Sequence, residues 1–441
     1  MTINMKRVIK TIIIEKIFDK NKSSEMIFKN FISSLDFCIF ADNNIDMNHF
    51  YIHIPFCRKK CNYCAFYSIK YDETSAKKFL DSLLKEISTV GSRFFDKSRE
   101  DKSKLDTVHA KTIFFGGGTP SILDANDISK IISAIEKNFG VEKFDEATIE
   151  CNPESIFLKK LLIYRKSGIN RISIGIQSLG EKFLKFLGRI HTKEDALSSI
   201  DTAFESGFDN VSADLIFGIP EQTKEDILRD IDEVISRGVK HISLYSLTLE
   251  KNTPLEKMII AGEVKLPSSD ELAEIYYAAA EFFKKAGFRN YEVSNFALPE
   301  YECLHNLAYW LGDYYLGFGP AAHSFYEDKR WHNINSLEEY VERLTNGALP
   351  STDCETIGYK EKFEEFIMIR LRLADGFSIK EAAEILNIKI DDFKTILKNL
   401  IDNNILVESG EKILLSQDRR LLADGVAEKI VRDTFSFLGI D

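Results

Sequence analysis

The chain predicts an α/β fold built on a parallel sheet, and three observations predict it. From Phe50 to about Phe296, short β-branched or aromatic runs alternate with stretches of helical periodicity. That order sets parallel strands side by side with helices as crossovers. Six such units fit an incomplete (β/α)6 barrel, with a doubly wound open sheet as the alternative. Cysteines, glycines and carboxylates follow the strands, and both architectures gather their chemistry at the carboxyl ends of strands. After Pro350 the pattern turns helical, which predicts a second domain.

Residues 1–49 form an extension of unknown role, polar and weakly patterned, with one helical-looking segment, SSEMIFKNFISSL. Residues 50–300 hold the strand candidates FYIHI, KTIFFG, ATIEC, RISIGI, VSADLIF and HISLYSL, with RNYEV as a possible late addition. Helical patterns lie between them, among them SAKKFLDSLLKEIS, DISKIISAIEKNF, EDALSSIDTAFESG and KEDILRDIDEVISRG. Residues 301–350 connect to the final domain. Residues 351–441 read helix, short helix, helix, two-stranded wing and last helix, a winged-helix-like module. Its candidate recognition helix, DDFKTILKNLIDNN, is mixed in charge and apolar on one face, which suits packing better than DNA reading.

The length, 441 residues with 44% hydrophobic and 29% charged, allows two globular domains. No apolar run reaches the roughly 18–20 residues of a membrane span. Glu15 and Asp19 interrupt the apolar opening, so a signal peptide is not expected. Seven cysteines, three of them clustered, speak against a secreted disulfide framework and for the reducing cytoplasm. A net charge of −11 argues against generic nucleic-acid binding.

The chemistry concentrates in YIHIPFCRKKCNYCAF, where Cys57, Cys61 and Cys64 stand at C-x3-C-x2-C. Three thiolates can hold three corners of a cubane 4Fe-4S cluster and leave one iron open to a small molecule. Structural zinc wants four ligands, which His53 or His49 would have to complete. Downstream, KTIFF runs into Gly116-Gly117-Gly118-Thr119-Pro120, ATIE ends at Glu150 before Asn152-Pro153-Glu154, RISIGI ends at Gln177, and VSADLIFG carries Asp214. Glycines suit a backbone brought within hydrogen-bond reach of a ligand. A phosphate-binding loop would need a lysine that is missing here.

The cysteine spacing and these motifs resemble the radical S-adenosylmethionine (SAM) proteins, whose core is an incomplete (β/α)6 barrel. The resemblance implies a 4Fe-4S cluster on Cys57, Cys61 and Cys64, with SAM on the open iron. It places Tyr63 beside the adenine and Gly117, Gly118 and Thr119 at the cofactor's amino group. Glu150 goes near the ribose or methionine end, Gln177 beside the ribose, and Arg189 on the carboxylate unless it is a surface salt-bridge residue. Asp214 completes the set, and Tyr51 contributes mainly backbone.

From Phe50 onward the chain is similar to the oxygen-independent coproporphyrinogen III oxidase family. The true oxidases carry a further cysteine where this chain has Phe66, and phenylalanine marks the paralogous HemW-type haem chaperones. The segment HNLAYW, residues 305–310, resembles the H-N-x2-Y-W of that branch. There the histidine, here His305, is implicated in haem binding, with Tyr309 and Trp310 offering flat faces. His323 on GFGPAAHS is a second candidate ligand. Cys38, Cys151, Cys303 and Cys354 read as spectators, although Cys303 lies close to His305.

Three functions follow. The first is a haem chaperone that delivers haem to an acceptor protein, touching a membrane only through that acceptor, with little or no oxidase activity. The second is the anaerobic oxidase itself, and the third a cluster-bearing winged-helix regulator. An electron donor is implied for the first two.

Overall fold

The computed structural model describes residues 48–96 and 108–439. The extension's helical-looking segment and Cys38 lie outside these residues. Six strands run parallel in chain order: β1 (His49–Ile54), β2 (Val108–Gly117), β3 (Val141–Cys151), β4 (Arg171–Gln177), β5 (Asn210–Phe217) and β6 (His241–Ser246). Between them lie α1 (Glu73–Asp96), α2 (Ala125–Phe139), α3 (Leu158–Lys166), α4 (Lys193–Glu205) and α5 (Lys224–Ser236), and α6 (Ser269–Lys285) follows β6. Because neighbours in the sheet are also neighbours in sequence, right-handed crossovers put the helices on one face. That order is a barrel's; a doubly wound sheet reverses direction part-way.

The strand sequences show why. Along β1, Phe50, Ile52 and Ile54 join the core with Phe79 and Leu83 of α1 and Ile131 and Ile135 of α2. Alternate residues of a strand point to opposite faces, so His49, Tyr51 and His53 face the lumen. In β4, Ile172, Ile174 and Ile176 pack outward in that core, while Arg171, Ser173, Gly175 and Gln177 turn inward. Helix starts are written locally. Thr192 with Asp195 and Thr223 with Asp226 form capping boxes at α4 and α5. Asp124 caps α2, and Gly140 ends it in the left-handed region at φ 66°.

Among the described residues the sheet holds twelve strands. At one edge β7 (Arg289–Glu292), within the anticipated RNYEV, pairs antiparallel with β8 (Asn295–Ala297), which pairs with β6. After α7 (Leu304–Trp310), β9 (Tyr315–Phe318) lies parallel to β1 on the side away from β2. It is a seventh parallel strand that the periodicity did not announce. The antiparallel strands β10 (His323–Tyr326), β11 (Lys329–Asn333) and β12 (Ser351–Thr356) follow outward. The main sheet therefore continues past residue 350, where the sequence places a boundary.

A separate buried cluster, including Phe363, Phe393, Leu397, Ile413 and Ile430, unites the C-terminal elements. These are α8 (Tyr359–Arg370), α9 (Ile379–Leu386), α10 (Ile390–Asp402), β13 (Phe377–Ser378), the hairpin β14 (Leu406–Ser409) with β15 (Lys412–Leu415), and α11 (Ala423–Leu438). They follow the helix-helix-wing order expected. No helix among the described residues is long and apolar enough to cross a membrane.

Candidate functional site

The carboxyl ends of the strands form the rim. β1 leads through Pro55 into the cysteine loop, whose three thiols are all half-buried. The loop is pinned from below and beside. Gly118 N–H donates to the Ile54 carbonyl at 2.8 Å, Thr119 N–H to the Phe56 carbonyl at 2.8 Å, and Asn62 N–H to the Leu187 carbonyl at 3.0 Å.

A hydrogen-bonded chain joins two cluster cysteines across the rim. Thr119 Oγ1 donates to Cys57 Sγ at 3.6 Å, and Asn152 Nδ2 donates to Thr119 Oγ1 at 3.2 Å. Arg189 Nη2 donates to Asn152 Oδ1 and to the Gly175 carbonyl, both at 2.8 Å, while its Nη1 lies 3.5 Å from Cys61 Sγ. Arg189 is thus no surface salt-bridge residue. Tyr63 shares its hydroxyl with Arg189 and packs on the apolar cluster of Phe183, Leu187, Ile216 and Leu247. Asn152 and Gly175 were absent from the expected ligands, yet they hold the expected ones together. A β-carbon at Gly175 would stand 2.9 Å from Gln177 Nε2 and 3.2 Å from Asn152 Oδ1. The signal was in the sequence, as Asn152 follows β3 directly.

Gln177 ends β4 with φ at 68°, a strained conformation for a side-chain-bearing residue and one that collects at functional sites. Glu150 on β3 pairs in register with Ser173 of β4, with its carboxylate near Gly116. Asp214 sits within β5 rather than at its end, and Ser173 Oγ donates to it at 3.0 Å. Burial holds its carboxyl above the usual range. Tyr51 contributes a buried side chain as well as backbone, its hydroxyl 3.2 Å from His53 Nδ1. The glycines are also required by packing. A β-carbon at Gly117 would strike the His53 ring at 2.7 Å, and one at Gly118 the Phe56 carbonyl at 2.6 Å. They let β2 close onto β1 and so fix the cysteine loop.

The rim also holds unsatisfied buried atoms: Arg189 Nε, Glu154 Oε2 and His191 Nδ1 have no hydrogen-bond partner among the described residues. The last two stand 3.8 Å apart. Burial, reinforced by Arg189, lowers the His191 imidazole to about 4, which keeps it neutral. Burial raises the Cys57 thiol and pushes Cys64 up to about 11, with neighbouring thiols adding repulsion. Such thiols become stable thiolates only beside a strongly positive group. No three His, Cys, Asp or Glu side chains among the described residues converge to hold a single metal ion. The donor set fits an iron–sulfur cluster, and the unsatisfied atoms beside it fit a polar organic cofactor such as SAM.

His305 lies at the other end of the barrel. It sits on α7, which plugs the floor some five strand residues, about 16 Å, below the cysteine loop. Its ring is 2% exposed, with Nδ1 2.6 Å from Thr112 Oγ1 and Nε2 3.0 Å from the Tyr309 hydroxyl. The ring stacks on Phe114 at 5.1 Å, and its backbone N–H donates to Glu146 Oε1. Burial holds the imidazole well below its usual range. Both nitrogens being engaged, His305 presents no free lone pair to iron in this arrangement, contrary to expectation. Cys303 is no thiolate: burial pushes its thiol up to about 12, and its sulfur lies 3.4 Å from Glu146 Oε1. Cys151 is likewise buried, with its thiol pushed up to about 12 by burial, and Cys354 is half-buried away from the rim on β12. His323 begins β10, half-buried, with its ring 5.1 Å from that of His332. A cavity of about 710 Å³ opens below the floor, lined by Glu146, Arg165, Asn210 and Glu302 among others. No thiol lines it.

The Radical SAM superfamily profile matches residues 51–234, a match that implies a 4Fe-4S cluster and SAM. A protein of Bacillus subtilis named heme chaperone HemW is 32% identical over 86% of this chain and 98% of its own length. A protein of the same name from Mycobacterium tuberculosis is 31% identical over 86% and 94%. Among solved structures, coproporphyrinogen III oxidase (HemN) from Escherichia coli shares the fold, with a TM-score of 0.71 and 21% identity over 93% of each chain. Matched over 86% of its length by such relatives, and carrying the cysteine loop and rim of the radical SAM fold, the chain belongs to the HemW family of radical SAM proteins.

Proposed function

We propose that this protein is a haem chaperone: it binds haem and passes it to an acceptor protein, while holding a SAM-bearing cluster at the rim. The observation that carries the reading is the collinear relation to proteins named heme chaperone HemW, covering 98% of the B. subtilis relative. The identity to the structurally similar oxidase is lower, 21%. Phe66, exposed on the loop where the oxidases have a further cysteine, supports the same branch.

Cys57, Cys61 and Cys64 would hold the cluster, and Tyr63, Gly117, Gly118, Thr119, Glu150, Gln177, Arg189 and Asp214 would surround SAM. Together these groups supply one-electron chemistry at the rim. The protein's part is positioning. Thr119 and Arg189 donate to cluster sulfurs and so stabilise them as thiolates. Asn152 ties the Thr119 loop to Arg189, and Tyr63 with its apolar cluster keeps water from that side.

Haem ligation by His305 requires its ring to leave Thr112 on β2 and the Tyr309 hydroxyl one turn along α7. His323, half-buried on the rim side of β10, is the alternative ligand. Titration of the anaerobically reconstituted protein with haem, followed by its Soret band, should show one haem per chain. Incubation with coproporphyrinogen III, SAM and reductant should show no decarboxylation. If His305 is the ligand, Tyr309→Phe removes a competing bond and tightens haem binding several-fold, and His305→Ala abolishes the band with the cluster retained. Loss in His323→Ala alone would move the ligand to β10. Decarboxylation without stable haem binding would establish an oxidase.

A further inference from the structure

The cavity of about 710 Å³ below the floor is bounded by the end of α2, the start of β3, the turn after α3, the first residues of β5 and the approach to α7. Seven carboxylates line it against two bases, Lys143 and Arg165, a balance of −5 within a chain of net charge −11. Asp209 is already paired with Lys240. Glu136, Glu142, Glu300 and Glu302 form no ion pair among the described residues. Asn210 lines the same space, and its Oδ1 is buried with no hydrogen-bond partner among the described residues. A buried acceptor without a donor, ringed by carboxylates, calls for a cationic ligand rich in N–H groups.

The lining is not all polar. Ile132, Phe144 and Ile169 contribute to its wall, and Leu304, also in the lining, is 43% exposed. A bare metal ion has no use for such a wall, and no three ligating side chains among the described residues converge on one. The volume lies within the roughly 300–1,000 Å³ of ligand sites and admits several side chains of a polypeptide. The cavity also touches α7. Glu146 stands in its lining, and Glu146 Oε2 accepts the Leu304 N–H at 2.8 Å while Oε1 accepts that of His305 at 3.1 Å. A guanidinium arriving from the cavity would compete for the two oxygens that hold the start of this helix.

We propose that the floor cavity docks a basic, partly apolar segment of the haem-acceptor protein, whose cations compete for Glu146 and loosen α7. The chemistry of the segment follows from the cavity, and its assignment to the acceptor rests on the chaperone reading. Nucleic acids and anionic membranes carry the wrong sign for this surface. Position selects the acceptor, because the cavity abuts the helix that bears His305 and leaves the rim free for SAM. By linkage, docking and the departure of His305 from Thr112 favour one another. A chaperone whose His305 has moved onto haem therefore binds its acceptor more tightly than an empty one.

The test is fluorescence anisotropy of a short labelled peptide of arginines and leucines, titrated with the full-length, cluster-reconstituted protein at low ionic strength. Glu142→Lys with Glu300→Lys changes two exposed residues of the lining. It should weaken binding about tenfold, a difference that rising salt erases, with iron content and SAM affinity unchanged. Glu338→Lys with Glu342→Lys, an equal change of charge at exposed residues outside the cavity, should leave the affinity as it was. Equal affinities in all three proteins, or equal losses in both variants, would overturn the dock. Amide exchange at Leu304 and His305 should quicken several-fold with peptide bound, and unchanged exchange would overturn the link to α7. Carbodiimide crosslinks from Glu142 or Glu300 to the peptide would support the proposal, whereas crosslinks to Lys6, Lys10 or Lys16 would overturn it in favour of the chain's own beginning. These readouts need no haem, so a protein that docks the peptide yet takes up no haem would overturn the chaperone reading and not the dock. Where haem is bound, the peptide should bind several-fold more tightly, and equal affinity would remove the linkage.

Discussion

The rim and the floor of the barrel are built from the same residue types, yet they end in opposite states. At the floor, one hydroxyl, Thr112 Oγ1, stands 2.8 Å from His49 Nδ1 and 2.6 Å from His305 Nδ1. It can donate to only one, so the other imidazole must donate to it. Glu146 accepts from the backbone of Leu304 and His305 at the same level. At the rim, Arg189, Glu154 and His191 keep buried atoms with no partner among the described residues, and Gln177 holds a strained backbone. The floor is not wholly closed, since His49 Nε2 and Arg171 Nε also lack a hydrogen-bond partner among the described residues, the first lying 3.4 Å from Asp313. What sets the rim apart is that its open atoms stand beside the cysteine loop. The contrast follows the general rule for barrels, with function at the carboxyl ends and stability at the amino ends.

Breaking the rim outright should give the largest effect. Cys61→Ala removes one of three thiolates, and iron should fall from about four per chain to nearly none after reconstitution. A full complement in the variant would show that the loop is not the ligand set. A gentler change sharpens the contrast. Gly175→Ala presses a methyl group onto Gln177 and Asn152, and SAM affinity should drop about 100-fold, roughly 2.7 kcal/mol, with iron content and melting temperature unchanged. Calorimetric titration measures it, and unaltered affinity would remove Gly175 from the site.

The floor should respond the other way. Thr112→Val strands two imidazoles and should cost about 2 kcal/mol of stability by urea unfolding, while SAM affinity stays put. If affinity falls instead, the two ends are coupled. The smallest effect is in pH. The His191 imidazole, lowered to about 4 in the fold by burial, ordinarily titrates near 6.5. The unfolded chain therefore binds the extra proton first as pH falls, and stability declines between pH 6.5 and 4. The loss should be about 1 kcal/mol over the first unit below 6.5. His191→Asn should flatten that slope, and an unchanged slope would assign it to other groups, His53 among them.

Much of this was legible beforehand. The six parallel strands were readable because each carries β-branched or aromatic residues, and five of them run into a chemical signal such as Cys57 or Gln177. The barrel, as against a doubly wound sheet, was written in alternation that periodicity alone underused: in RISIGIQ the isoleucines face helices and the rest face the lumen. What escaped was non-local. The β9 strand YLGF is four residues long, and its partner lies at the other end of the sheet's sequence. Asn152 bonds locally to Glu154, but its other two side-chain bonds, to Thr119 and Arg189, reach two other loops, which no local pattern encodes. The setting of His305 escaped for a related reason. The motif HNLAYW shows a histidine beside aromatics, and only the register of β2 reveals that Thr112 waits for it.

The lateness of β9 also sets a timetable for the molecule's birth. β1 gains its second neighbour only when residues 315–318 have been made, and Gly319 then reaches back 233 residues to Glu86. At about 5–20 residues per second, roughly 260 residues take on the order of 13–50 s to emerge. Throughout that interval the strand leading into the cysteine loop has an open edge, an invitation to wrong pairing. Metallation should therefore come after translation, and a nascent chain stalled before Tyr315 should be a client for holding factors, unable to keep iron.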